Sequence, residues 1–229
     1  MTGTANAQRR RVGVTILVVV MVVASVFGLI VGVLFPQGDD GHFTYATVAP
    51  DRTFIRLWLL LAALNLIVGL TAFALAAWIL VPARGWIAAT IGACLTWFGC
   101  AIYALGVGGI GTMYYFATDP DGLDRAASER LLEHLDDSFV SVWGVAVTGA
   151  VVSTVGQVVL AVGLWRARTV PRWIPVLAAT LVVTFLLPTA GLVGLVSELP
   201  SAISGLGLAW YFWRLQQAPA TPSIDVAPA

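Results

Sequence analysis

The chain has no lysine; all twelve of its basic residues are arginine. Schiff-base chemistry, with retinal or with pyridoxal phosphate, therefore has no amine to use. Histidine is almost as scarce. His42 and His134 both fall in hydrophilic stretches, which excludes a haem held by histidines inside a bilayer and any intramembrane imidazole relay. Charged residues make up 10% of the 229 positions and cancel to a net charge of +0, so the clustered basic surface that a nucleic-acid partner needs is missing. The signatures GxSxG and HExxH and the glycine-rich phosphate loop are absent too, and without them the chain reads as a non-enzyme with no cofactor. Gly106-Val-Gly-Gly-Ile-Gly111 superficially resembles a nucleotide loop, but it is predicted to end a transmembrane helix.

What the chain does have is apolar length. Hydrophobic residues reach 59% and the mean hydropathy is +0.91, outside the range of soluble domains. An all-α, polytopic membrane bundle follows, in one membrane domain spanning 1–229. The lipid bilayer is its first partner. Apolar runs predict spans at about 12–35, 57–81, 86–108 and 140–165, each bounded by charge or by Pro and Gly. The first run is preceded by Arg9, Arg10 and Arg11 and is too long for a signal-peptide core, so it reads as an uncleaved anchor. From Ile174 to Trp213 the only charged residue is Glu198, and ~40 helical residues are too long for one crossing. A reversal is expected near Gly194 to Pro200, giving spans at 174–195 and 198–214 and leaving Glu198 at the outer edge. Reversal at Pro188 to Gly191 would instead put Glu198 about two turns inside the bilayer.

Charge sets the expected orientation. With the N-terminus inside, Arg9, Arg10, Arg11, Arg84, Arg166, Arg168, Arg172 and Arg214 are cytoplasmic, and only Arg52, Arg56, Arg125 and Arg130 lie outside. Every acid except Asp225 then falls outside. Trp78, Trp86, Trp165, Trp173, Trp210 and Trp213 cluster near the cytoplasmic ends, where indoles favour the headgroup region. Both tails, 1–11 and 215–229, are expected in the cytoplasm. The lysine-free, Ala-, Val-, Gly- and Arg-rich usage points to a GC-rich bacterial genome, and so to the inner, or plasma, membrane.

Small residues at helical spacing mark expected helix contacts: Ala24, Gly28 and Gly32; Ala62, Gly69, Ala72 and Ala76; Gly149, Ser153, Gly156 and Gly163. Asn65 and Gln157 are the strongly polar side chains deep in the spans. With Thr96, Cys100 and Ser153, and with Thr90 and Cys94 nearby, they outline a polar seam through spans two, three and four. Interhelical hydrogen bonding is its expected role, with a solute path as the other reading. Cys94 and Cys100 stand ~9 Å apart along one helix, out of reach of a disulfide.

The loop at 109–139 carries an expected amphipathic helix, capped by Asp121, with Leu123, Ala127, Leu131, Leu135 and Phe139 as its apolar stripe. Glu129, Glu133, Asp136 and Asp137 form an acidic outer surface suited to another membrane or extracytoplasmic protein, or to gathering cations. His134 with Asp137, and Asp39, Asp40 and His42 in the first outer loop, supply imidazole and carboxylate groups. Without a cysteine or a second nearby histidine they read as solvated loop residues rather than a metal site.

The segment from Gln157 to Val176, with its Trp-Arg-Ala-Arg-Thr-Val-Pro-Arg-Trp turn, resembles uncharacterised bacterial six-span integral membrane proteins of a domain-of-unknown-function family. The resemblance implies the six-span fold and no activity. A non-enzymatic accessory, sensing or partner-binding role is expected. A transporter or channel for a small neutral or weakly polar solute is the alternative, and an enzyme acting on lipid comes third.

Overall fold

A backbone in hydrocarbon must satisfy its own N–H and C=O groups, which leaves the helix as the economical answer for long apolar runs. The computed structural model describes residues 2–34, 43–180, 182 and 191–217, and among these the regular elements are helices. They are α1 (Thr2–Leu34), α2 (Tyr45–Val48), α3 (Arg52–Leu80), α4 (Trp86–Ala117), α5 (Arg125–Asp137), α6 (Phe139–Ala167), α7 (Trp173–Ala179) and α8 (Gly191–Gln217). Five helices, α1, α3, α4, α6 and α8, are long and apolar enough to cross a membrane. The chain is a multi-pass membrane protein.

Two boundaries differ from the sequence expectation. Helix α4 does not stop at Gly108 but runs on to Ala117, so the predicted loop loses its first nine residues. The glycines that looked like a terminus are contact points instead: Gly106 faces Ala146, and Gly111 faces Leu59 and Arg56. The second difference is larger. Helix α8 is continuous from Gly191 and carries Pro200 inside it, so the reversal expected at Gly194 to Pro200 is not there. A membrane helix tolerates an internal proline because neighbouring groups re-satisfy the freed carbonyl. Of the expected span 174–195, residues 174–179 belong to α7 and 191–195 to α8, and most of the alternative reversal, including Pro188, lies outside the described residues.

Named contacts fix the directions. Helix α3 runs antiparallel to α1, with Gly69 against Ala24 and Asn65 against Gly28, and antiparallel to α4, with Trp78 beside Thr90 and Leu59 beside Gly111. Helix α7 opposes α8, where Ser204 Oγ donates to the Ile174 carbonyl at 3.0 Å and Trp173 covers Gly207. Trp78, Trp86, Trp165, Trp173, Trp210 and Trp213 therefore gather at one end of the bundle, all exposed on its rim. Arg172 stacks over Trp165 and Arg214 over Trp210, at 5.3 and 5.4 Å from the ring centres. At this tryptophan end the α3–α4 turn presses on α6: Gly85 has φ +104, and a side chain there would strike the Gly163 carbonyl.

The tightest contact is between α4 and α6. Gly92, Gly99 and Gly106 recur every seven residues on α4 and meet Gly149, Gly156 and Ala146 on α6, while Gly163 meets Ala89. A Cβ at any of these glycines would collide with the opposing backbone. The sequence reading found the α6 half of this contact; its seven-residue partner on α4, the geometry of antiparallel helices under slight left-handed supercoil, went unrecognised.

Burial divides the interior into two apolar clusters. One, toward the tryptophan end, includes Met21, Phe73, Leu160, Leu164, Ile174 and Leu208. The other, toward the distal end, includes Val48, Ile55, Leu59, Val107, Ile110 and Leu132. Asn65, Thr96, Ser153 and Gln157 all fall between the two clusters along their helices. The membrane interior is thus layered, apolar above and below a polar middle.

Candidate functional site

The polar middle layer is not one seam but two separate groups. On the α4–α6 side the backbones touch, and two hydroxyls bond within their own helices: Thr96 Oγ1 donates to the Gly92 carbonyl at 2.8 Å, and Ser153 Oγ to the Ala150 carbonyl at 2.9 Å. Gln157 is buried there, and its Nε2 meets no acceptor among the described residues. Cys100 Sγ reaches the Leu66 carbonyl at 4.0 Å, and Cys94 is exposed on the bundle surface; both thiols are free.

Asn65 belongs to the other group. It lines a cavity of about 90 Å³ between α1, α3 and α8, together with Glu198, Ser25 and Ser201. Small residues make the room: Ala24 and Gly28 on α1, Gly69 on α3, Ala202 and Gly205 on α8. Asn65 is thirteen residues from Trp78 and Glu198 is twelve from Trp210, so both heads stand ~18–20 Å above the tryptophan end. Because the described helix α8 already includes Gly191, Glu198 lies at least ~10 Å inside that helix rather than at an edge loop. The expectation that Glu198 sits at the outer edge is corrected by this single helix boundary.

Chemically, the cavity offers oxygen. An ionised carboxylate only accepts, an amide supplies one carbonyl oxygen, and each hydroxyl can turn a lone pair inward. Such a set suits a small cation or a protonated amine. At ~30 Å³ of liquid volume per water, the space also holds a few waters. A glutamate at this depth is costly unless solvated or paired, so its placement in a polar cavity is what makes the helix tolerable. Ser25 and Ser201 escaped the sequence reading, although Ser201 stands one helical turn after Glu198 and so shares its face.

The distal end is held by a different cluster. Arg52 Nη1 donates to Asp119 Oδ1 at 2.9 Å and to the Thr118 carbonyl at 3.3 Å, and Arg52 and Arg56 both stack over Tyr115. Arg52 and the backbone N–H of Asp121 hold the Asp119 carboxyl below its ordinary range. Two of the four arginines that break the charge asymmetry are therefore tethers between α3 and the end of α4.

In α5 the N-cap is Asp124, whose side chain accepts from the Ala127 N–H at 2.7 Å, and not Asp121. Its buried face is Ser128, Leu132 and Leu135, while Leu123 and Leu131 of the expected stripe are exposed. A four-residue repeat overshoots a 3.6-residue turn by ~40° each step and cannot stay on one face for long. Glu129 pairs with Arg125 at 2.8 Å, and Glu133, His134 and Asp137 are exposed; the Asp136 side chain lies outside the described residues. Asp39, Asp40 and His42 lie outside them as well. Among the described residues no three His, Cys, Asp or Glu side chains gather closely enough to hold a metal. Comparison with protein-family models, curated proteins and solved structures finds no match to this chain.

Proposed function

We propose that the protein is a six-span component of the bacterial inner membrane, both termini cytoplasmic, that works by binding rather than by catalysis. Its site is the Glu198–Asn65 cavity, and its ligand carries a small positive charge. The observation that carries this reading is a glutamate inside a membrane-spanning helix, sharing a cavity with an amide and two hydroxyls from three helices. Intramembrane acids mark ligand or ion sites by default, because their burial is costly and is kept where it serves a site.

Geometry supports the sixth crossing. Trp173, at the start of α7, sits level with Gly207, and α8 begins sixteen residues earlier at Gly191. Trp173 and Gly191 are therefore ~24 Å apart in height, close to the height of a hydrocarbon core. Arginine asymmetry supports the orientation, and the resemblance around Pro171-Arg172-Trp173 supports the same architecture. A solute path through the Asn65–Gln157 seam would require α4 and α6 to part along their glycine contact.

The test uses purified protein in phosphatidylcholine nanodiscs, with thermal unfolding followed in sodium, potassium or methylammonium chloride against N-methylglucamine chloride at equal ionic strength. A ligand at ten times its Kd stabilises by about 1.4 kcal/mol. At least one cation should do so in the wild type and none in Glu198→Gln. Equal behaviour of the two proteins would sink the proposal.

A further inference from the structure

A second hollow adjoins the cavity. Val19, Val20, Val23, Ala24 and Phe27 of α1 and Leu61, Leu64, Asn65 and Val68 of α3 line an apolar groove of about 350 Å³. Asn65 and Ala24 line both spaces. Several groove residues, Val19, Val23, Leu61 and Leu64 among them, are exposed on the bundle surface, where the solvent of a membrane helix is lipid. Polar cavity and lipid-facing groove are thus back to back, sharing one amide.

From this juxtaposition we infer that the ligand enters sideways from the bilayer and is a single-chain cationic amphiphile, a protonated primary amine on an alkyl tail. The inference rests on the cavity reading and adds the ligand's class and route. The ammonium head would pass Asn65 to reach Glu198, Ser25 and Ser201, and the tail would lie along Val23, Phe27, Leu64 and Val68. Charge selects the head: a carboxylate with three neutral oxygens repels phosphate or carboxylate headgroups and attracts an ammonium with its three donors. Size selects it further, since about 90 Å³ admits an ammonium and a few waters but crowds a phospholipid headgroup. The groove contributes position rather than affinity, because an alkyl chain in lipid is already out of water.

The experiment uses the full chain in phosphatidylcholine nanodiscs and a dodecylamine derivative with a photoreactive diazirine at the end of its tail. Cross-links are mapped by peptide mass spectrometry, with unlabelled dodecylamine as competitor. Competable labelling is expected within Val19 to Phe27 and Leu61 to Val68. It should fall about tenfold or more in Glu198→Gln, the scale of one charge-assisted contact, and should also fall in Val23→Trp, which fills the groove. The dodecanol counterpart should label without competition. If Val23→Trp still binds methylammonium by the thermal assay, its fold is intact and its loss of labelling supports the groove route. Labelling by amine and alcohol alike, unaffected by Glu198→Gln, would make the groove ordinary lipid contact and overturn the inference. Methylammonium binding at Glu198 with no competable groove labelling would overturn the amphiphile class and leave the cavity reading standing. Failure of sodium, potassium, methylammonium and dodecylamine alike in the wild type would overturn both, whereas a response to sodium or potassium alone would overturn only the amphiphile class.

Discussion

Replacing Gly99 by alanine adds one methyl group at the place where α4 and α6 come closest. The new Cβ would lie 2.7 Å from the Gly149 carbonyl oxygen and 2.6 Å from Ser153 Cα, whereas ordinary contacts involving carbon need about 3.5 Å. No flexible side chain can move aside, since the obstacle is backbone, so the helices must part by roughly 1 Å. A gap of that size forfeits a quarter to a half of the dispersion along the contact, and overpacking of this kind costs about 1–3 kcal/mol. Gly109 and Gly144 are the controls, because a Cβ at either meets nothing within 4 Å. There alanine should be neutral or stabilise by up to about 0.5–1 kcal/mol through helix propensity. Reversible unfolding in mixed micelles measures both. Gly149→Ala should cost about as much as Gly99→Ala, and the double variant less than their sum, because helices already parted need not part again. Additive losses, or equal losses at Gly109, would refute the reasoning.

Three further outcomes are expected. Asp119→Asn should flatten the acid limb of the stability–pH profile: a carboxyl held low by Arg52 stabilises above the ordinary value of ~4 and loses that contribution as pH falls through its depressed folded value. An acid limb unchanged by the substitution would mean the tether carries no linkage. Ser204→Ala, which removes the interhelical donor to the Ile174 carbonyl, should lower stability by about 1 kcal/mol in detergent unfolding, whereas Ser204→Thr should retain most of it if the hydroxyl is what matters. In a Cys94→Ala, Cys100→Ala background, single cysteines at the exposed positions 46 and 130 should react with impermeant maleimide from outside whole cells, and those at 84 and 168 only after lysis; the opposite pattern reverses the orientation.

The spans were legible because hydropathy reports directly on what can sit in lipid, and Asn65 stood out because an amide in an apolar run is rare. Which helices would surround it was not legible: small-residue faces mark contact without naming the partner, so Asn65 was assigned to spans three and four and instead faces α1 and α8. Glu198 was misplaced by a rule borrowed from water. Dividing the long apolar run equally put the reversal near Gly194 to Pro200, as a soluble chain would turn there, yet in α8 Glu198 and Pro200 are both interior. The α5 stripe failed on arithmetic, a repeat of four taken for a turn of 3.6, and its true face at Ser128, Leu132 and Leu135 follows the mixed spacing of four and three.

Six of the nine tryptophans ring one end of the bundle, and that asymmetry gives the molecule a fixed datum in the membrane. Indoles hold their leaflet's headgroup plane, so a change in bilayer thickness is taken up mainly at the opposite rim. Glu198 lies ~10 Å below that rim. In a thin membrane, such as one of short-chain lipids, the water boundary descends toward the carboxylate; in a thick one it recedes. The hydration of the cavity is thereby tied to hydrophobic mismatch, and the occupancy of the site should track acyl-chain length even when the ligand concentration does not change.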